Sequence, residues 1–232
     1  MAVAPSRQLA SSLSCLAALF LVVSCSALRS SPDPSAFRFE DPSPYYLYLP
    51  DQYSPDRRWP LFVAVHGSAD AQACWNVWQP FADEEGFVLL CPELADPDGM
   101  LHQLRGADKL NLILDRIYRE YSLQPGIFLT GFSAGGQFVH GYAFHFPSYV
   151  AAASVMAPGN YYFPPANARA VPFAIIVGSR DHPDSIDIAK ALAALMQRNG
   201  YVAQLHIIEG AGHEVPSEAI QLTLDLYRSV VP

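Results

Sequence analysis

Three residues far apart in this sequence have the types needed for nucleophilic chemistry: Ser133 in TGFSAGGQF (130–138), Asp181 in VGSRD and His213 in GAGHE. A serine hydroxyl is a poor nucleophile at neutral pH and needs an adjacent base to take its proton as it attacks a carbonyl. His213 is the candidate base, and Asp181 is the carboxylate that would fix its tautomer and stabilise the imidazolium that forms. Gly131 and Gly135 flank Ser133 as G-x-S-x-G, a spacing suited to a tight strand-to-helix turn that side chains would crowd; Gly136 leaves the approach more open. The pentapeptide alone arises by chance in about one chain in ten of this size, so its meaning depends on the elements around it. The backbone N–H groups of Ser68 and Ala134 are the candidate donors for the oxyanion of a tetrahedral intermediate.

Those elements can be read from the hydrophobic pattern. YYLYL (45–49), PLFVAVHG (60–67), FVLLCPE (87–93), GIFLTG (126–131), VAAASVMA (150–157), PFAIIVG (172–178) and AQLHIIEG (203–210) are short apolar runs that read as strands. Runs that are apolar without alternation, such as PLFVAV, suit a parallel sheet covered on both faces. Between them lie helical stretches at 73–86, 106–122, 134–147, 185–200 and 217–230. In the second, Leu110, Ile113, Leu114 and Ile117 share one face. Pro80 in the first predicts a kink or a late start. Strands alternating with helices predict an α/β fold, a doubly wound and mostly parallel sheet with helices on both faces. In such sheets ligands bind beyond the carboxyl ends of the strands, and His66-Gly67-Ser68, Ser133, Asp181 and His213 each follow a strand.

In combination, VAVHGS, GFSAGGQF, VGSRD and GAGHE resemble the α/β-hydrolase pattern, with Ser, Asp and His in that family's chain order, over Tyr45 to the end. More closely, VAVHGSADAQACWNVWQPFADEEGFVLLCPE looks like the small carboxylesterases grouped as polyhydroxybutyrate depolymerase-like, feruloyl esterase-like and dienelactone hydrolase-like. The resemblance implies a serine esterase acting through an acyl-enzyme on a small-molecule or polymer-end ester, without a cofactor. Ser68 stands after His-Gly where many depolymerases carry Cys, a departure that bears on specificity. A peptidase or amidase with the same triad is the competing hydrolase reading. A non-catalytic surface-binding lipoprotein that keeps the fold is the alternative of another class, against which the complete Ser, Asp and His set speaks.

His66 reads as a structural residue organising the oxyanion loop. Most of His102, His140, His145, His182 and His206 fall within predicted helices or strands. Asp184 and Asp187 lie one turn beyond Asp181, where they could cap the following helix. His182 with Asp181 and Asp184 lacks the spacing of a zinc or calcium site, so no metal is expected. The segment 157–171 is too short for a helical lid domain, which predicts an open site. Tyr161, Tyr162 and Trp75 are the candidate substrate-binding aromatics, with Trp78 and Phe163 nearby.

Of the chain's 232 residues, 51% are hydrophobic and 16% charged, which excludes disorder and suits one folded domain. A formal net charge of −8 speaks against nucleic acid or an anionic membrane surface as partner. Residues 1–24 read as an export signal, with Arg7 ahead of an apolar stretch from Leu13 to Val23, too short for a spanning helix. Val22-Val23-Ser24 before Cys25 resembles a bacterial lipoprotein processing box, which makes Cys25 the candidate lipidated N-terminus and the cell envelope the expected location. Cleavage after Ala27, giving a soluble secreted or periplasmic protein, is the alternative. Residues 25–44 read as a Pro/Ser-rich tether without core contacts, and 45–232 as the folded domain. In an oxidising compartment Cys74 and Cys91 invite a disulfide that would brace the oxyanion-side loop; two buried free thiols are the alternative.

Overall fold

The computed structural model describes residues 33–68 and 70–231. The expected signal segment and Cys25 lie outside these residues. Eight strands form one sheet in the order β1-β2-β4-β3-β5-β6-β7-β8. They are β1 (Arg38–Phe39), β2 (Tyr45–Tyr48), β3 (Trp59–Val65), β4 (Val88–Pro92), β5 (Leu123–Phe132), β6 (Val150–Met156), β7 (Phe173–Gly178) and β8 (Ala203–Ile208). Only β1 and β2 run antiparallel to their neighbours; β4, β3, β5, β6, β7 and β8 pair in parallel.

The unbroken apolar runs have the expected cause. In β3, Leu61, Val63 and Val65 enter one core layer, and Phe62 and Ala64 enter the other. The first layer lies under α2 (Gln103–Glu120), α3 (Ala134–His145) and α4 (Pro183–Arg198), through residues such as Leu110, Phe138 and Leu192. The second lies under α1 (Ala71–Glu85) and α5 (Ser217–Val230), where Phe62 stacks between Phe87 and Phe128 at centroid distances of 4.5 and 4.9 Å. Such ring pairs add about 0.5–1.5 kcal/mol each beyond the area they bury. Among the described residues no helix is long and apolar enough to cross a membrane.

Two expectations are corrected here. The stretch read as a tether contributes a short 3-10 turn at Pro34–Phe37 and strand β1, and Phe37 packs on Tyr48 and Trp75 at 5.6 and 5.2 Å. Pro80 neither delays nor ends α1, which starts at Ala71 with Asp70 as its cap and stops at Gly86 in the left-handed region (φ 67°). Between β6 and β7 the chain makes only a 3-10 turn at Ala166–Ala168, as the expectation of no lid domain requires.

Candidate active site

β5 ends at Phe132 and α3 begins at Ala134, so Ser133 alone turns the chain, at φ 56° and ψ −119°. A non-glycine residue in this region costs of order 1–3 kcal/mol and persists only when its surroundings impose it. Here the glycines impose it by letting α3 start against the sheet. A Cβ at Gly135 would stand 2.3 Å from the carbonyl oxygen of Val65 and 2.4 Å from that of His66. One at Gly131 would stand 2.5 Å from the backbone of Gly135. The turn is tied to the neighbouring strand as Ser133 N–H donates to the Met156 carbonyl at 2.9 Å.

Asp181 and His213 arrive from the ends of β7 and β8. The Asp181 carboxylate is fully buried, and its Oδ1 accepts from the backbone N–H of His182 at 2.6 Å. His213 Nδ1 lies 2.8 Å from the same Oδ1, and His213 Nε2 lies 3.1 Å from Ser133 Oγ. The arrangement requires Nδ1–H donating to Asp181 and Ser133 Oγ–H donating to Nε2. Gly178, which sequence reasoning did not single out, makes the approach possible: a Cβ there would meet the Ala211 carbonyl oxygen at 2.2 Å, inside the loop that carries His213. The competing Asp184 and Asp187 belong to α4, with Asp184 in its first turn.

The turn after β3 carries Ser68, one of the two candidate oxyanion donors. Gly67 lies against Ser133, where a Cβ would stand 3.3 Å from Ser133 Cβ, and this sets the adjacent Ser68 beside the site. Ala134, the first residue of α3, carries one of the amides that a helix start leaves without an internal partner. Among the described residues the N–H groups of Ser68 and Ala134 make no hydrogen bond.

This turn is braced by a pair that sequence reasoning missed in part. His66 Nε2 is 2.9 Å from Glu93 Oε1, while His66 Nδ1 faces the Gly67 carbonyl at 3.0 Å and Glu93 Oε2 accepts from Ala71 N–H at 3.0 Å. Burial by itself would push the His66 imidazole down, but the Glu93 carboxylate and the Gly67 carbonyl outweigh it and leave the group raised. Burial likewise works against a charged Glu93, yet His66 and the backbone donors hold its carboxyl below the usual value. The expected Cys74–Cys91 bridge is not formed. Both are free, buried thiols, and burial pushes both well up. They fill apolar volume between α1 and β4, and the bracing falls to Glu93.

A cavity of about 350 Å³ opens at Ser133 and His213, walled by Val77, Trp78, Met156 and Val215. None of the three aromatics expected to bind substrate lines it. Trp75 is buried among Phe37, Tyr46 and Tyr48, because it lies on the side of α1 that packs on β2, whereas Trp78 reaches the cavity. Tyr161 and Tyr162 sit on the loop after β6, where Tyr162 N–H donates to His140 Nε2 at 3.1 Å. Asp181, His182 and His213 bring potential metal-ligand atoms within 4.8 Å of one another, as do Asp96, Asp98 and His102. In the first set Asp181 and His213 are engaged in the chain of hydrogen bonds to Ser133, and in the second Asp96 pairs with Arg105 and Lys109.

No protein-family model matches the chain. Among curated proteins it is similar to the bifunctional acetylxylan esterase/xylanase XynS20E of Neocallimastix patriciarum, 26% identical over 144 residues, 59% of this chain. The match spans about a fifth (21%) of that larger protein. Among solved structures it is similar to a thermostable esterase, with a TM-score of 0.67 at 19% identity over 82% of this chain and 62% of the other. It is also similar to the CE1 ferulic acid esterase of the anaerobic fungus Anaeromyces mucronatus, with a TM-score of 0.65 at 14% identity over 78% and 82%. The parallel sheet, its two helical layers and these likenesses give the chain the α/β-hydrolase fold on which such esterases are built.

Proposed function

We propose that this protein is a serine carboxylic ester hydrolase, and the observation that carries the reading is the unbroken path from Asp181 Oδ1 through His213 to Ser133 Oγ, 2.8 and 3.1 Å. In this reading His213 Nε2 takes the hydroxyl proton as Oγ attacks the ester carbonyl, and buried Asp181 stabilises the imidazolium. The carbonyl oxygen, now an oxyanion, receives the N–H groups of Ala134 and Ser68, each worth about 3 kcal/mol in the transition state. Collapse breaks the bond to the alcohol oxygen, which leaves with the proton from Nε2. Water then attacks the acyl-enzyme with His213 again as base, releasing the acid and restoring Ser133. No step draws on a cofactor.

The apolar walls at Val77, Trp78, Met156 and Val215 favour an uncharged ester. The acetylxylan esterase and ferulic acid esterase named above support ester over amide chemistry. Export is part of the reading, resting on the apolar stretch Leu13 to Val23 and on Cys25, with lipidation at Cys25 or cleavage after Ala27 as its two forms. The test compares p-nitrophenyl butyrate with the matched anilide. Ester turnover that vanishes in Ser133→Ala and falls to near zero in His213→Ala, with both variants folded, is expected. Preferential anilide cleavage would favour the peptidase reading, and wild-type rates in either variant would refute the assignment.

A further inference from the structure

A second cavity, of about 170 Å³, lies beside the first. The two share Gly67 and Ser68, and Ala134 lines the second, so they meet at the candidate oxyanion donors. Their chemistry differs. Where the first is walled largely by aliphatic and aromatic groups, the second adds the amide residues Gln137 and Gln103 to the shared Ser68, next to Met100 and Leu101.

The polar groups are available and their surroundings are built. Among the described residues the Ser68 hydroxyl makes no hydrogen bond, and the Gln137 side chain makes only a long one, Nε2–H to the Tyr162 hydroxyl at 3.4 Å. The wall opposite is pinned. Gln103 Nε2 donates to the Phe138 carbonyl at 3.3 Å, and Lys109 Nζ ties the preceding loop through the Ala95 carbonyl at 2.7 Å and Asp96 at 3.0 Å. On the other side His140 uses both ring nitrogens, facing the Gly136 carbonyl at 2.9 Å and accepting Tyr162 N–H at 3.1 Å, which keeps Tyr162 beside Gln137. Burial pushes His140 down to about 4, so it stays neutral in this role at ordinary pH. No charged side chain lines the cavity among the described residues, which disfavours an ionic ligand. An amide and a hydroxyl can each donate and accept, which matches a ligand hydroxyl, and Met100 and Leu101 suit its carbon frame. At about 170 Å³, half the volume of the first cavity, the space suits a small group.

We propose that this cavity is a specificity subsite for a small, neutral, hydroxyl-bearing part of the ester, read by Gln137 and the Ser68 hydroxyl. The preferred substrate then joins an apolar group to a hydroxylated one across the scissile bond. The proposal rests on the esterase reading above.

The experiment measures kcat/KM on two matched pairs. One pair, p-nitrophenyl butyrate and p-nitrophenyl 3-hydroxybutyrate, places the hydroxyl on the acyl side. The other, propyl butyrate and 2,3-dihydroxypropyl butyrate, places it on the alcohol side. In one pair the wild type prefers the hydroxylated member, and Gln137→Leu cuts that preference about 3- to 10-fold, chiefly through KM, as loss of one hydrogen bond would. Ser68→Ala, which keeps the backbone N–H, moves the same ratio in the same direction. The pair that responds tells which side of the ester enters the subsite. Ratios unchanged by both variants in both pairs overturn the proposal while leaving the esterase reading intact. Wild type inactive on all four esters overturns both.

Discussion

Gly135→Ala tests how the fold positions Ser133, the proposed nucleophile. The added Cβ would sit 2.3 and 2.4 Å from the carbonyl oxygens of Val65 and His66, where real contacts do not fall below 3.0 Å. Val65 pairs with Gly131 in the centre of the sheet, so the strand does not yield, and the start of α3 must retreat by at least about 0.7 Å, the gap from 2.3 to 3.0 Å. Overpacking of this kind costs about 1–3 kcal/mol, or roughly 2–12 °C in Tm at 2–4 °C per kcal/mol for a domain of this size. The same retreat carries Ser133 Oγ away from His213 and Ala134 N–H away from the oxyanion position. A misplacement near 1 Å costs about 100-fold in rate. Thermal melting and kcat/KM on p-nitrophenyl butyrate, run on the same preparation, give both numbers. A variant with wild-type Tm and wild-type kcat/KM would show that α3 does not lean on β3 as described, and the steric origin of the Ser133 turn would be refuted.

Other consequences are equally specific. Asp181→Asn should leave Tm nearly unchanged and lower kcat by about 10⁴-fold, because an amide nitrogen facing His213 Nδ1 favours the wrong tautomer; a loss under tenfold contradicts the role given to Asp181. Glu93→Gln should lower Tm most between about pH 4.5 and 6.5. The raised His66 group contributes stability that is complete below its ordinary 6.5 and fades as pH climbs through the raised value, while the lowered Glu93 group contributes above its ordinary 4.5 and fades as pH falls; a Tm difference that is flat from pH 4 to 9 would count against the pair. Cys74 and Cys91 should resist alkylation in the native protein and both react once it is unfolded without reductant, read by peptide mass; a linked Cys74–Cys91 peptide would restore the disulfide.

Where a pattern repeats along the chain, the sequence was readable. Continuous apolar runs marked β3 to β7, and strand ends located Ser133, Asp181 and His213, because a parallel sheet brings its carboxyl edges to one place. What failed depends on which way a single side chain points. Trp75 and Trp78 are both large, both on α1, and differ only by their position around the helix, one against β2 and the other at the cavity. Phe37, set among prolines and serines, carries no signal of its packing, because a single aromatic anchor has no periodicity. Two cysteines on neighbouring elements invite a disulfide, but a pairing depends on side-chain geometry that spacing does not carry. Gly178 and Glu93 have local signals too ordinary to single out; their roles come from contacts 33 and 27 residues away, with Ala211 and His66. The second cavity draws on three separate stretches of chain, 67–68, 99–103 and 134–138, so no local motif announces it.

The central claim is that Ser133 attacks and His213 activates it. It is tested most directly by treating the folded protein with a fluorophosphonate and mapping the adduct by peptide mass spectrometry. One covalent adduct is expected on the peptide carrying Ser133, absent in Ser133→Ala and strongly slowed in His213→Ala. A folded wild-type protein that takes no label, or takes it at another serine, would contradict the claim.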